Sequence, residues 1–336
     1  MTLKIGVIGA GRIGKLHAEN LVTRLPGVQV LAIADVNEAA AQETATKLHI
    51  PLATANHQDI LNHPDIQAVA ICSATDTHSQ MIIESAQAGK HIFCEKPIDY
   101  DLSRIDAALA AVAKAGVKLQ IGFNRRFDPN FARVREVVAA GGIGEPHVLR
   151  ITSRDPAPPP VSYVKVSGGI FLDMTIHDFD MARFLIDSPV TEVFAAGAVL
   201  VDPEIGAAGD VDTAVVTLRF ENGAIGVIDN SRKAVYGYDQ RVEVFGAKGS
   251  ISAENNTPTR TTLNNAEGVH QPLPLHFFLE RYNDSYIAEM QAFVRAITNN
   301  ETPPVIGIDG RIPVVMGLAA TKSLRENRPV KLSEIG

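Results

Sequence analysis

Apolar residues in the first third of the chain fall into two alternating rhythms. Short, unbroken aliphatic runs at residues 4–8, 28–34, 68–72, 91–94 and 118–123 predict strands buried on both faces. A weaker strand is expected near Leu52. Between the runs, apolar positions recur at helical spacing, as in Ile13, Leu16, Leu21 and Leu25, until Pro26-Gly27 stops the pattern. Further helices are expected over 37–48, with Asn37 available as a cap, and over 78–89 and 102–115. Strands separated by helices in this way describe a doubly wound parallel sheet of the Rossmann type.

After Phe123 the rhythm changes. A helix is expected over 128–140, ended by Gly141-Gly142, then a strand at 148–152, a proline-rich loop at 155–160 and a helix over 173–185. Strand patterns follow at 191–200, 211–220, 224–230, 240–246 and 250–254 with no long helix between them. Asn222-Gly223 marks a hairpin, because glycine supplies the positive φ of a tight turn. Strands in meander order predict a mostly antiparallel sheet, and so an α+β second domain. Helical spacing returns in Ile287, Met290, Phe293, Val294 and Ile297, and again in Val314, Val315, Leu318 and Ala319. The expected organisation is a Rossmann domain at 1–122, a second domain with a mostly antiparallel sheet at 123–280, and C-terminal helices at 281–336 packing back on both.

Composition narrows the class without supplying chemistry. The 336 residues exceed what one core usually spans, and 46% hydrophobic with 21% charged residues is an ordinary globular balance. A net charge of −7, with no block of Lys or Arg, argues against nucleic acid or an anionic membrane surface as a partner. No apolar run approaches a membrane span, and the N-terminus enters a strand directly without a leader pattern, so a cytoplasmic protein is expected. Cys72 and Cys94, at the ends of apolar runs, read as reduced, buried thiols. With no Trp, recognition of a small polar ligand falls to Asp, Asn, His and Tyr.

The first strand leads into Gly9-Ala10-Gly11-Arg12-Ile13-Gly14, a GxGxxG that opens a helix. The first glycine permits the turn, the second lets backbone approach a pyrophosphate, and the third allows helix to pack on strand. Asp35 follows the second strand 21 residues past Gly14, where a carboxylate can accept from an adenosine ribose. It favours NAD over NADP, since a carboxylate facing a 2′-phosphate is a like-charge clash. Arg12 is either a counterweight to that preference or a solvated side chain.

Glu95-Lys96-Pro97 ends a strand on the edge where α/β sheets bind ligands. Lys96 there either stabilises a forming alkoxide or merely pairs with a nearby acid. In Asp173-Met174-Thr175-Ile176-His177-Asp178-Phe179-Asp180, a continuous helix would put Asp173 and His177 on one face, with Asp180 a turn on. A carboxylate beside an imidazole orients the ring and favours its charged form, which suits a general base for an alcohol proton. Asp173 as a plain helix cap, or the cluster as a metal site, are the competing readings; no other ligands stand at zinc spacing, so no metal is expected.

Taken together, the glycine loop, Glu95-Lys96-Pro97 and the Asp173–Asp180 run resemble the Gfo/Idh/MocA family of NAD(P)-dependent sugar and polyol oxidoreductases, over essentially the whole chain. Within the family, Ser153-Arg154-Asp155-Pro156, the Gly168-Gly169 lead into Asp173, and the segment from Ala234 through Tyr236 to Arg241 look most like the inositol dehydrogenases. The resemblance implies Lys96, Asp173 and His177 as the catalytic set. It implies a cofactor site of Gly9, Gly11, Arg12, Ile13, Gly14, Asp35, Ser73, Ala74, Thr75, His78, Glu95, Lys96 and Asn124. Arg126, Asp155 and Tyr236 join Lys96, Asp173 and His177 as the implied substrate contacts.

The expected reaction is oxidation of myo-inositol, or a close isomer, to an inosose with NAD as acceptor, on an active site drawing on both halves of the chain. Another sugar or sugar-acid dehydrogenase, an NAD-dependent glycosidase and a non-catalytic nicotinamide-binding regulator are the alternatives. An antiparallel sheet with one uncovered face further implies a homo-oligomer, a tetramer being favoured, through the C-terminal sheet.

Overall fold

The computed structural model describes residues 2–336 and divides into two compact units. The first runs to Asn124 and takes in Asp284–Ile312; the second comprises Arg125–Asn283 and Pro313–Gly336. Residues 281–336, expected as one group of helices, are thus shared between the units.

In the first unit, β1 (Leu3–Ile8), α1 (Arg12–Thr23), β2 (Val28–Ala34), α2 (Glu38–Leu48), β3 (Leu52–Thr54), α3 (Gln58–Leu61), β4 (Ala68–Ile71), α4 (Thr75–Gln87), β5 (His91–Glu95), α5 (Leu102–Ala115) and β6 (Leu119–Gly122) follow in chain order. The sheet is wholly parallel, in the order β3-β2-β1-β4-β5-β6. Every residue of β4 and β6 is buried, as their continuous apolar runs require of strands covered on both faces. Helix ends are chemically marked: Asp101 accepts from the Ser103 and Arg104 N–H groups at the start of α5, and Gly116 closes it at φ 67°. The order reverses between β1 and β4, and a crevice at such a switch point is where open α/β sheets hold ligands.

The second unit opens with α6 (Pro129–Ala139), β7 (Pro146–Arg154), α7 (Val161–Val164), α8 (Ile170–Asp173) and α9 (Thr175–Ile186). Then come β8 (Val190–Ala198), α10 (Pro203–Ala207), β9 (Thr213–Phe220), β10 (Ile225–Ser231), β11 (Asp239–Gly246), β12 (Gly249–Ala253), the small β13 (Leu263–Asn265) and β14 (Gly268–His270) pair, and α11 (Phe278–Arg281). The chain ends through α12 (Asn283–Thr298), α13 (Gly307–Glu326) and β15 (Val330–Lys331). Most of α12 belongs to the first unit, where Met290 and Phe293 join the core around Phe93.

A seven-stranded sheet in the order β12-β11-β7-β10-β9-β8-β15 forms the second unit's frame. All its pairings are antiparallel except β7 with β10. Gly223, at φ 89°, turns β9 into β10, while the Asn222 side chain accepts from the Ala224 N–H at 3.1 Å. Burial alternates along β9, so one face is covered, with α9 packed on β7 and β10, and the other exposes Val215 and Ile225.

The helix expected over 173–185 is interrupted. α8 ends at Asp173 and α9 begins at Thr175, with Met174 between them at φ −96°, ψ −61°. Polar anchors on either side of the break account for it. Asp173 is held by Tyr163 and Arg232, and Thr175 Oγ1 lies 2.6 Å from Asn230 Oδ1.

Asp128 carries two burdens at the start of α6. Its Oδ1 accepts from the Asn130 and Phe131 N–H groups, and its Oδ2 accepts from buried Arg281. Asp128→Ala removes the cap and strands a buried guanidinium. It should cost about 3–5 kcal/mol of stability, read as a lowered midpoint in urea unfolding. A change within the error of the melt would show that Arg281 finds another partner.

Candidate active site

The glycine loop is shaped by contact distances. A Cβ on Gly9, which sits at φ 108°, would lie 2.5 Å from the Cys72 carbonyl group at the end of β4. One on Gly14 would lie 1.9 Å from the Gly9 oxygen, so α1 can press onto the loop only with glycine there. Gly11 differs, since a Cβ there would meet nothing within 4 Å. Gly11 also caps α1 without a side chain, and the first turn, with exposed Arg12 and half-buried Ile13, holds no acid. An uncapped helix start beside open space fits a pyrophosphate, whose charge the helix N–H groups and dipole favour.

Asp35 closes this site. Its Oδ2 accepts from the Ala10 N–H at 2.6 Å and its Oδ1 from the Asn37 N–H at 2.8 Å. One carboxylate therefore ties the end of β2 to the glycine loop, and keeps lone pairs for a ribose diol. Across the switch point, Ser73, exposed Ala74 and Thr75 lead into α4, with Ser73 Oγ 2.7 Å from Thr77 Oγ1. His78 lies beneath them, fully buried. Its Nδ1 is 2.8 Å from the Pro97 carbonyl and its Nε2 is 3.0 Å from the Ser73 carbonyl. Burial holds this ring below the usual histidine range, so in its neutral form it donates to one carbonyl at a time. His78 thereby links the loop after β4 to the loop after β5.

Glu95 and half-buried Lys96 end β5, and the Lys96-Pro97 bond is cis. Glu95 Oε1 is 2.7 Å from His17 Nε2, and Glu289 Oε1 lies 3.9 Å from the same nitrogen. Burial first, and Glu95 second, push the Glu289 carboxyl well above its ordinary range. His17 and Glu289 escaped the sequence reading because they sit on apolar helix faces of α1 and α12, far apart in the chain. Among the described residues, this trio alone groups His, Cys, Asp or Glu donors closely enough to hold a metal ion, but a 2.7 Å contact between donors is hydrogen-bond geometry. Asn124, at the end of this unit, is buried with its Nδ2 making no hydrogen bond. A buried amide donor left over in this way suits a carbonyl-bearing ligand.

In the second unit, Asp173 ends α8 and His177 stands in the first turn of α9, both half-buried. Tyr163 OH donates to Asp173 Oδ1 at 2.9 Å and Arg232 Nη1 to Oδ2 at 3.1 Å. Asp178 and Asp180, next along α9, turn inward. Arg125 Nη1 reaches Asp178 at 2.6 Å and Asn230 Nδ2 reaches it at 2.8 Å. Burial still pushes the Asp178 carboxyl upward. Arg126 grips Asp180 through Nε at 2.9 Å and Nη2 at 2.6 Å. Its guanidinium is thus engaged by protein, as is Tyr236, which donates to Asp239 at 2.6 Å and accepts from Arg154 at 3.0 Å.

Asp155 is pinned by its backbone to the strand that precedes Tyr236, through Ser231 and Ala234. Burial raises its carboxyl to about 6, with Asp173 adding to the rise and Arg232 and Arg125 opposing it. Tyr163, Asp210 and Arg232 carry no local motif. Only the three-dimensional packing brings Tyr163 and Arg232 to Asp173, and Asp210 to Arg232.

A parallel sheet with a glycine loop after its first strand and an acid after its second is a dinucleotide-binding arrangement, here followed by a unit that holds Asp155, Asp173 and His177 half-buried. Residues 3–123 match the family described as "Oxidoreductase family, NAD-binding Rossmann fold", and residues 131–252 match the GFO/IDH/MocA C-terminal domain. The chain belongs to the Gfo/Idh/MocA oxidoreductase family. It is 54% identical to the myo-inositol 2-dehydrogenase of Thermotoga maritima, covering 99% of each chain. It is 46% identical to the inositol 2-dehydrogenase of Rhizobium meliloti, covering 99% of this chain and 100% of the other. Among solved structures, scyllo-inositol dehydrogenase from Lactobacillus casei with bound NAD(H) and scyllo-inositol superposes with a TM-score of 0.93 at 32% identity, over 99% of this chain and 100% of that one.

The Asp35 carboxylate at this position predicts a cofactor preference set by charge. Asp35→Asn keeps an acceptor for the Ala10 N–H but removes the repulsion of a 2′-phosphate. The ratio of kcat/KM with NADP+ to that with NAD+ should rise by about tenfold or more, measured in parallel assays. An unchanged ratio would place discrimination elsewhere.

Proposed function

We propose that this protein is an NAD-dependent inositol 2-dehydrogenase, oxidising myo-inositol or a close isomer to an inosose such as scyllo-inosose. Two things support the reading together: 54% and 46% identity to inositol dehydrogenases over nearly the whole chain, and a second unit that holds Asp155, Asp173 and His177 half-buried. Vicinal hydroxyls are donors, and a carboxylate is an acceptor only.

NAD, when bound, would supply the hydride acceptor, and the glycine loop and Asp35 would hold it. In the proposed roles, His177 takes the hydroxyl proton and Lys96 donates to the same oxygen as negative charge develops on it. Asp173 stabilises the imidazolium that results. The carbinol carbon loses a hydride and its oxygen a proton, which leaves a ketone and releases one proton to solvent through His177. Asp155, Tyr236 and Arg126 are proposed as the polyol-side contacts, the last two through hydroxyl and guanidinium groups already ordered by protein partners.

A cytoplasmic homo-oligomer completes the proposal. Among the described residues no helix is long and apolar enough to cross a membrane. One sheet face exposes Val215, Ile225 and Phe245 on β9, β10 and β11, at 46%, 47% and 48% of their surface, which favours burial against another copy. Light scattering at micromolar concentration should give a tetramer, and a monomer would overturn this part.

NADH production against a panel of inositols, hexoses and hexuronates tests the substrate reading directly. His177→Ala should bind NAD+ as the parent does yet lose on the order of 10²–10⁴ in turnover of myo-inositol. Near-parental turnover in that variant would remove His177 from the mechanism.

A further inference from the structure

Arg232 follows β10 directly, and its side chain is 1% exposed. Its backbone N–H donates to the Asp212 carbonyl at 2.8 Å, which anchors the residue. Its Nη1 donates to Asp173 Oδ2 at 3.1 Å, whereas Nη2 stands 3.6 Å from Asp210 Oδ2, beyond a good hydrogen bond. Its Nε and Nη2 make no hydrogen bond with protein. A guanidinium carries five N–H donors, so this one is buried at considerable expense for a single direct contact.

Stability does not explain that choice. A well-packed apolar side chain in such a place is often neutral or better than a buried ion pair. Charge does explain it. Asp173 and Asp210 flank one cation whose charge also acts on Asp155, and without it three acids would be left unbalanced in half-buried surroundings. Tyr163 cannot substitute, because it brings a neutral donor to the other Asp173 oxygen and is itself 47% exposed.

We propose that Arg232 is the positioning residue of the polyol site: its guanidinium fixes Asp173 in one orientation and supplies the positive charge that lets Asp173 and Asp155 both serve as anionic acceptors. This rests on the polyol dehydrogenase reading, with Asp173 in the catalytic set. Arg232 touches neither hydride nor transferred proton, and acts through the two acids. A site so arranged is net negative and suits an uncharged polyol over a sugar acid, since a substrate carboxylate would meet three acids and one partly engaged cation.

The test is steady-state NADH production from myo-inositol by Arg232→Gln, Arg232→Lys and Asp210→Asn across acidic and neutral pH, with NAD+ binding followed separately by fluorescence. Arg232→Gln should lower kcat on the order of tenfold to a hundredfold with NAD+ affinity unchanged. Its acidic limb should move to higher pH. The titrating carboxyl, Asp155, faces Arg232, Asp173, Arg125 and Asp178, and loss of one of its two cations makes it harder to ionise.

Arg232→Lys, which keeps the charge and loses the planar fork, should restore the limb and only part of kcat. Asp210→Asn, at a more exposed position, should move the limb the other way. It also guards against a variant of Arg232 that fails to fold. Parental kcat and pH profile in Arg232→Gln would overturn the proposal. So would equal loss in Arg232→Gln and Arg232→Lys accompanied by a lowered melting temperature, or an unmoved limb in Asp210→Asn. If the parent protein oxidises no polyol at all, the functional reading falls and this one with it; if it does and the variants match it, only Arg232 loses its role.

Discussion

At Gly14 the first helix presses against the loop before it so closely that a single methyl group would stand 1.9 Å from the Gly9 oxygen. That approach decides where α1 begins and how its uncapped N–H groups are presented. It also seats Gly9 against the end of β4, so the loops after β1 and β4 become one surface at the switch point. Asp35 adds a third strand end by reaching back to the Ala10 N–H. The cofactor site is therefore a consequence of backbone proximity, with side chains needed chiefly to refine it.

The second unit relies on a different currency, the pairing of buried charges. Arg125 with Asp178, Arg126 with Asp180, Arg281 with Asp128, and Arg232 with Asp173 each couple a guanidinium to a carboxylate. The first two pairs join residues one apart on one segment to residues two apart on α9. They lock the start of this unit to the helix that carries His177. Buried pairs of this kind add little net stability, but each is costly to break, so they specify one arrangement of α9 against the sheet. Burial is also what raises the Asp155 carboxyl, with Asp173 adding to it and Arg232 and Arg125 opposing.

Much of the fold was legible in the pattern of residues. Unbroken apolar runs marked β1, β2, β4, β5 and β6, and strand runs joined at Asn222-Gly223 marked β9 and β10. The break at Met174 was not legible, since apolar spacing continues through it and the cause is distant anchoring of Asp173 and Thr175. The parallel pairing of β7 with β10 was equally hidden, because nothing local says which strand a β-strand will sit beside. His17, Glu289 and Arg232 lay outside every motif. Each is a charged or polar residue whose burial only the folded chain imposes.

Chain order alone determined the chemistry that depends on neighbours in sequence: a turn that needs glycine, a helix start left open, an acid at the end of β2, a lysine at the end of β5. Those features follow from local geometry, and local geometry is written in short stretches. Tertiary structure decided which charges meet. A guanidinium and a carboxylate attract across any sequence separation, and their ionisation depends on how much water the fold leaves them. Hence Asp173 could be picked out from the residues around it, while Arg232, which governs its surroundings, emerged only once β10 was laid beside β7.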